Sequence, residues 1–195
     1  MTSPQGISVT VLVSGSGTLL QSILDNQDSH YYVNHVVADV ECAALERADK
    51  AGVPTRVISM MEDRAAWNVT LADAVEATDP DLVVSAGFMK ILGQDFLNRF
   101  DGRIINTHPA LLPSFPGAHA VRDALAYGVK VTGSTVHYVD AGVDTGEIIA
   151  QRAVEIRAGE DEAALHERIK VVERELIVDT LRSATIDPTT RKVKF

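Results

Sequence analysis

Asn106 and His108 sit two positions apart at the end of a short apolar run, Arg103-Ile104-Ile105-Asn106-Thr107-His108. On a strand, residues two apart point to the same face. An amide and an imidazole therefore project side by side where the strand stops. The amide is a hydrogen-bond donor suited to a developing oxyanion, and the imidazole moves protons near neutral pH. Pro109, Pro113 and Pro116 stiffen the segment beyond the strand, and Leu112-Pro113 is a candidate cis bond in a tight turn. Asp144 stands in a later loop, Asp140-Ala141-Gly142-Val143-Asp144-Thr145-Gly146. Alone, an Asp in such a loop is a turn former, and a lone strand-end histidine is as often satisfied by local backbone. The amide and the imidazole at that spacing are groups of the type acyl transfer requires.

A second pattern lies near the start. Ser14-Gly15-Ser16-Gly17-Thr18 joins the first apolar run to the first amphipathic one. Glycines let the backbone turn tightly and approach a ligand closely. A helix that opens there offers free amide hydrogens and a positive dipole end to an anion such as phosphate. The bland alternative is a glycine turn that serves close helix–sheet packing. A dinucleotide fingerprint wants a third glycine where Leu20 stands, although Asp39 lies where an acid would read a ribose. A nucleotide-binding oxidoreductase is thus a rival reading, weakened by Leu20.

These groups need elements to position them. Ile7 to Ser14, Val33 to Val40, Val53 to Ser59, Asp81 to Ser85 and Arg103 to Thr107 read as short buried strands. Thr18 to Asp25, Ala43 to Ala51, Asp63 to Thr78 and Ile91 to Phe100 read as the helices between them, with Gly52 and Pro80 as stop signals. Apolar strands alternating with helices predict a Rossmann-like, doubly wound α/β fold with a mostly parallel sheet. After Gly128 the pattern changes: Val129 to Asp140 and Glu147 to Arg157 read as an antiparallel strand pair around the Asp140–Gly146 loop. Glu162 to Ser183 reads as a long final helix capped by Asp161. The tail 191–195 is an edge strand or unstructured.

The chain has 195 residues, 46% hydrophobic and 23% charged, and a net charge of −9. That length suits one domain, 1–195, with a nucleotide-binding half near 7–100 and a catalytic half near 101–183. The acidic balance argues against a nucleic-acid partner, which needs clustered Lys and Arg. The single cysteine, Cys42, excludes an intramolecular disulfide framework and a cysteine-based zinc site, and reads as a packed thiol. The first six residues are polar and show no secretory signal, and no apolar run approaches the roughly 20 residues needed to span a bilayer. A cytoplasmic location with no membrane partner is the expectation; a homodimer is left open.

The set Asn106-Thr107-His108-Pro109-Ala110-Leu111-Leu112-Pro113, Phe115-Pro116-Gly117, Gly133-Ser134-Thr135-Val136-His137 and Asp144-Thr145-Gly146 resembles the formyltransferases that use 10-formyltetrahydrofolate. With the Gly15–Gly17 turn it is most similar to the branch that formylates 5′-phosphoribosylglycinamide in purine synthesis, over about Ile7 to Leu181. The resemblance implies a catalytic triad of Asn106, His108 and Asp144. Asn106 and protonated His108 would stabilise the tetrahedral oxygen, Asp144 would hold His108 charged, and no metal would be required. It implies ribonucleotide binding by Gly17, Thr18, Leu19, Lys170 and Glu173, with the last two sharing a helix face; relatives often carry Asn at Leu19 and Gln at Lys170. It implies reduced-folate binding by Arg64, Met89, Lys90, Ile91, Leu92, Asn106 and the loop Asp140, Ala141, Gly142, Val143 and Asp144, with Val139 as an apolar wall. His137 and His119 lie near the site in the family; His137 reads as structural, and His30, His35 and His166 carry no signal. Two relatives compete. A methionyl-tRNA formyltransferase would add a tRNA-binding domain and a basic surface, and a formyltetrahydrofolate hydrolase would add an amino-terminal regulatory domain.

Overall fold

The computed structural model describes residues 6–195; the polar segment 1–5 lies outside the described residues. Seven strands form one sheet: β1 (Ile7–Val13), β2 (Tyr31–Ala38), β3 (Thr55–Val57), β4 (Leu82–Ser85), β5 (Ile104–His108), β6 (Val131–Tyr138) and β7 (Ile148–Glu155). Their order is β3-β2-β1-β4-β5-β6-β7. Pairs from β3 to β5 are parallel, whereas β6 runs antiparallel to both β5 and β7. The helices are α1 (Thr18–Asp25), α2 (Ala43–Lys50), α3 (Arg64–Glu76), α4 (Gln94–Arg99), α5 (Ala120–Tyr127) and α6 (Glu162–Ser183).

β1 and β4 are buried along their whole length because helices cover the sheet on both faces. On one face Val9, Val11, Leu20, Ile23, Leu45, Ile177 and Leu181 pack together. On the other, Leu12, Val83, Trp67, Leu71, Phe96 and Phe100 do so. Trp67 is fully buried and its indole N–H donates to the Ile58 carbonyl at 2.9 Å, which satisfies its one polar atom.

Several boundaries differ from those the sequence predicts. β2 starts two residues earlier and stops at Ala38, and β3 shrinks to three residues at the sheet edge, where it has one neighbour. The helix expected from Ile91 begins only at Gln94. Gly93 is its extended N-cap and donates its N–H to Asn68, leaving Ile91 and Leu92 in a loop. α5 has no counterpart in the sequence pattern, since it is short and sits between a proline-rich stretch and Gly128, which caps it at φ 86°. The tail joins no edge of the main sheet: β9 (Val193–Lys194) pairs with β8 (Thr185–Ile186) in a separate two-stranded ribbon. The Leu112-Pro113 bond is cis.

Strand order reverses at β1: the chain builds outward to β2 and β3, then crosses to β4 on the other side. Loops leaving the carboxyl ends of β1 and β4 therefore diverge and leave a crevice between them, the usual ligand position in such sheets. The turn 14–17, the loop 86–93 and the end of β5 all open into that region.

Candidate active site

Two cavities lie side by side at the carboxyl edge of the sheet. The first, about 410 Å³, is lined by Asn106, His108, His137 and Asp144 together with Leu92, Val139 and Gly142. The second, about 380 Å³, is lined by Gly15 to Leu19 and by His166, Lys170 and Glu173. Asn106, Phe88, Met89, Gly117 and Ala118 border both. Asn106 thus stands where the two meet.

The expected trio is brought together. The His108 Nδ1 atom lies 3.3 Å from Asp144 Oδ2, and its Nε2 donates to the Phe115 carbonyl at 2.8 Å. Both partners are oxygens that can accept a hydrogen bond. Asp144 adopts φ 54°, a left-handed conformation that Asp tolerates better than most residues. The Gly117 N–H donates to its Oδ2 at 2.8 Å. The loop itself is tied by Asp140, whose Oδ1 accepts from the Gly142 N–H and the Thr145 hydroxyl.

His137, which reads as structural from its strand position, lines the same cavity as Asn106, His108 and Asp144. The β5–β6 register sets it directly opposite Asn106. Its Nδ1 donates to the Tyr138 carbonyl at 2.8 Å, which leaves Nε2 to accept from Asn106 Nδ2 at 3.3 Å. Burial pushes the His137 imidazole below its ordinary value, against the pull of that carbonyl and of Asp144, whose Oδ1 is 3.6 Å away. A neutral His137 can accept from Asn106 and so orient the amide. Only the pairing register reveals this, and that register is not written in the local sequence.

Around the first cavity, Leu92 and Val139 form apolar walls as expected, and Met89, Ile91 and Val143 leave apolar side chains exposed at its mouth. A cluster of exposed apolar groups at a cavity mouth marks a binding surface. Lys90 lines the cavity and lies 3.6 Å from the buried Asp39. Arg64 does not line it: the side chain is exposed and donates to the Ile91 carbonyl at 3.1 Å, on the outer rim. Ala141 also stays outside the lining, and exposed His119 is the N-cap of α5.

Around the second cavity, Gly17 has φ 71° and no side chain caps α1. A Cβ on Gly17 would meet Ala44 Cα at 2.6 Å. Close packing on α2 and an open helix start are thus achieved by the same residue. The Gly15 carbonyl accepts from the Ala44 N–H and the Ser16 carbonyl from Arg47 Nε, so both acceptors are engaged by α2. The Leu19 side chain is buried in the core, leaving only its backbone for a ligand. Lys170 Nζ rests on Glu167 at 2.7 Å. Burial pushes the Glu173 carboxyl up, with the Thr107 side chain opposing. Asp39, a candidate ribose reader by position, accepts instead from the Ser14 hydroxyl at 2.6 Å, and that oxygen accepts from the Met89 N–H. Its engagement argues against the oxidoreductase alternative. His166, which carries no signal as an isolated residue, lines this cavity; its spacing to Lys170 and Glu173 is the helical i, i+4, i+7 pattern that points to it.

A switch-point sheet carrying adjoining cavities and an Asn–His–Asp cluster is an acyl- or formyl-transfer architecture. Residues 7–181 match the Formyl transferase family, and the chain belongs to it. Phosphoribosylglycinamide formyltransferase of Mycobacterium tuberculosis is 56% identical over 174 residues, 87% of this chain and 81% of that protein. The trifunctional purine biosynthetic protein adenosine-3 of Bos taurus is 39% identical over 185 residues, 92% of this chain but 18% of that longer protein. Among solved structures, glycinamide ribonucleotide transformylase 1 from Symbiobacterium toebii matches with a TM-score of 0.89 at 39% identity, covering 98% of this chain and 94% of that one.

Proposed function

We propose that this chain transfers the formyl group of 10-formyltetrahydrofolate to the amine of 5′-phosphoribosylglycinamide, a step of purine synthesis, with no metal required. The observation that carries the reading is the meeting of the two cavities at Asn106. One holds the His108–Asp144 pair behind apolar walls, and the other ends on the Gly15–Leu19 turn. The names of the relatives point the same way. The first cavity suits a flat heterocycle with an apolar arm: Leu92 and Val139 wall it, residues 88–92 together with Asp140, Gly142 and Val143 edge it, and Met89, Ile91 and Val143 extend apolar contact outward. Arg64, on the rim, is placed to meet an anionic tail.

The folate supplies an activated formyl carbon. Asn106 Nδ2 donates to the formyl oxygen while His137 Nε2 orients the amide. His108, held charged by Asp144, adds a second donor to that oxygen by exchanging one of its ring partners for it. The substrate amine attacks the formyl carbon, the bond from that carbon to the folate nitrogen breaks, and the proton the amine loses reaches the departing nitrogen through His108, Asp144 or an ordered water. Thr18, Leu19 and Gly17 offer backbone amides to the phosphate, with Lys170 adding charge once it leaves Glu167, and Glu173 meeting ribose hydroxyls. Donors aimed at charge that develops only in the transition state lower the barrier more than they tighten ground-state binding. The nucleotide half, 7–100, carries the phosphate turn, and the catalytic half, 101–183, the triad; α6 of the second half closes over the first. The reading carries with it a cytoplasmic location and small-molecule partners only; no described helix is long and apolar enough to cross a membrane.

The test is absorbance on mixing the protein with 10-formyltetrahydrofolate, with and without the ribonucleotide. Loss of the formyl group only when the ribonucleotide is present is the expected result. Loss without it identifies a hydrolase, and no loss together with nicotinamide binding overturns the assignment.

A further inference from the structure

His166 is half-buried on α6, four residues before Lys170 and seven before Glu173, so the three share one helical face. All three line the second cavity, whose opposite wall is the Gly15–Leu19 turn. We propose that His166 is a further recognition residue for the anionic end of the substrate, taking up a proton from solvent as a phosphate dianion enters between α6 and that turn. The proposal rests on the formyltransferase reading for the identity of the ligand.

The charge environment supports it. Burial holds the His166 imidazole below its ordinary value in the protein without ligand; Lys170 adds to this, while Glu167 and Glu162 oppose it. The imidazole is therefore neutral at neutral pH before the ligand enters. A dianion alongside reverses that preference, because an opposite charge within a few ångströms favours the protonated form. Among the residues lining the cavity, only His166, Lys170 and Glu173 titrate; the parts contributed by 15–19, 86–89 and 106–118 carry no ionisable side chain. Elements packed on α6 bring their charges elsewhere: Arg152 of β7 meets Glu175 and Asp179, Asp28 meets Arg182, and Arg122 and Asp123 of α5 face each other. Lys170 pairs with Glu167 and so offers a charge already in part neutralised. An imidazole that charges on demand supplies the missing cation without storing one beside Lys170 in the empty cavity.

The experiment is calorimetric titration of the full chain with 5′-phosphoribosylglycinamide between pH 6 and 8, in two buffers of different ionisation enthalpy, for wild type, H166Q and H166K. The substrate phosphate itself titrates near a pKa of about 6, and its contribution is common to all three proteins. Wild type is expected to take up a fraction of a proton near pH 7 beyond the H166Q baseline. H166Q is expected to bind the ribonucleotide about fivefold more weakly, with folate-analogue affinity unchanged and the thermal midpoint unchanged at pH 8. H166K is expected to restore affinity without the extra proton uptake. Equal affinity and equal buffer-dependent heat in wild type and H166Q overturn the proposal. If the variants do not fold, the His166 imidazole resonance is titrated in wild type with and without ribonucleotide, and an unmoved midpoint overturns it equally. Ribonucleotide that binds without involving His166 removes this inference alone, whereas a wild-type protein that binds no ribonucleotide removes the assigned function.

Discussion

The ring nitrogens of His108 and the carboxylate of Asp144 all face partners within the fold. His108 faces an acceptor at both ring nitrogens, and Asp144 is held by the Gly117 N–H, so the pair is oriented before any substrate arrives. Asp144→Asn keeps the shape of the cavity wall and removes its charge, whereas His108→Ala removes the ring that lines it. His108→Ala and Asp144→Asn are each expected to lower kcat by about 10²–10⁴, with folate and ribonucleotide dissociation constants little changed. Near-normal single-turnover rates in either variant would show that the residue has another role. Lys170 lines the second cavity and not the one that holds the His108–Asp144 pair. Lys170→Ala is expected to raise the ribonucleotide KM about threefold or more and to leave the folate KM unaltered; an unchanged ribonucleotide KM would remove it from the site. Asn106 and His108 are legible as candidates because their types and spacing suit a carbonyl reaction, and Asp144 only through the family resemblance that its loop completes. His137 is not, because its role depends on lying opposite Asn106 across two strands.

The strands and loops that hold these groups are fastened by side chains outside the chemistry. Thr135 on β6 is fully buried; its hydroxyl donates to the Ala110 carbonyl and accepts from the Leu112 N–H and from Gln151. It thereby anchors the segment that runs on to Phe115, whose carbonyl holds His108. Phe115 itself has φ 53° and its ring packs edge-on against exposed Tyr127. Thr135→Val keeps the shape and removes the hydroxyl, leaving a buried N–H and carbonyl short of partners. The expected cost is about 2 kcal/mol or more, read as a lower urea midpoint at unchanged slope, together with a fall in kcat as the Phe115 carbonyl shifts. Loss of stability without any loss of kcat would separate this anchor from the site. Helix starts with a side-chain cap, Asp63 and Asp161, can be read from the sequence. The start of α4 cannot, because Gly93 is fixed by Asn68 on another helix.

Across the whole molecule, three histidines carry depressed values through burial: His35, His137 and His166. The unfolded chain binds these protons as pH drops through about 6.5, while the folded chain resists them. The unfolded state therefore holds more protons below that value, and stability falls as pH falls from neutral through about 6.5 toward about 5. Lower down, Asp28 and Asp187 are held at about 2, first of all by the backbone N–H groups of His30 and Thr190. They extend the loss from about pH 4 down to about 2. Thermal midpoints measured from pH 8 to 5 in one ionic strength check the first part; a midpoint that rises on acidification would contradict it. In H166Q the slope should be shallower, since one of the three protons is gone.

Local order in the chain determined a good deal. The alternation of apolar strands with helices, the glycine turn before α1, the capped start of α6 and the pairing of Asn106 with His108 all follow from spacing along a few neighbouring residues. Backbone periodicity and steric limits act over that same short range. What only the tertiary structure decided depends on residues far apart in sequence. The β5–β6 register makes His137 a partner of Asn106, and the packing of α6 against the sheet brings His166 to the cavity that the Gly15–Leu19 turn lines. The Ser14–Asp39 bond takes Asp39 away from any ribose, and Gly17 owes its necessity to Ala44 as much as to a ligand. Those contacts come into being only when the whole sheet closes, so no window of the sequence contains them.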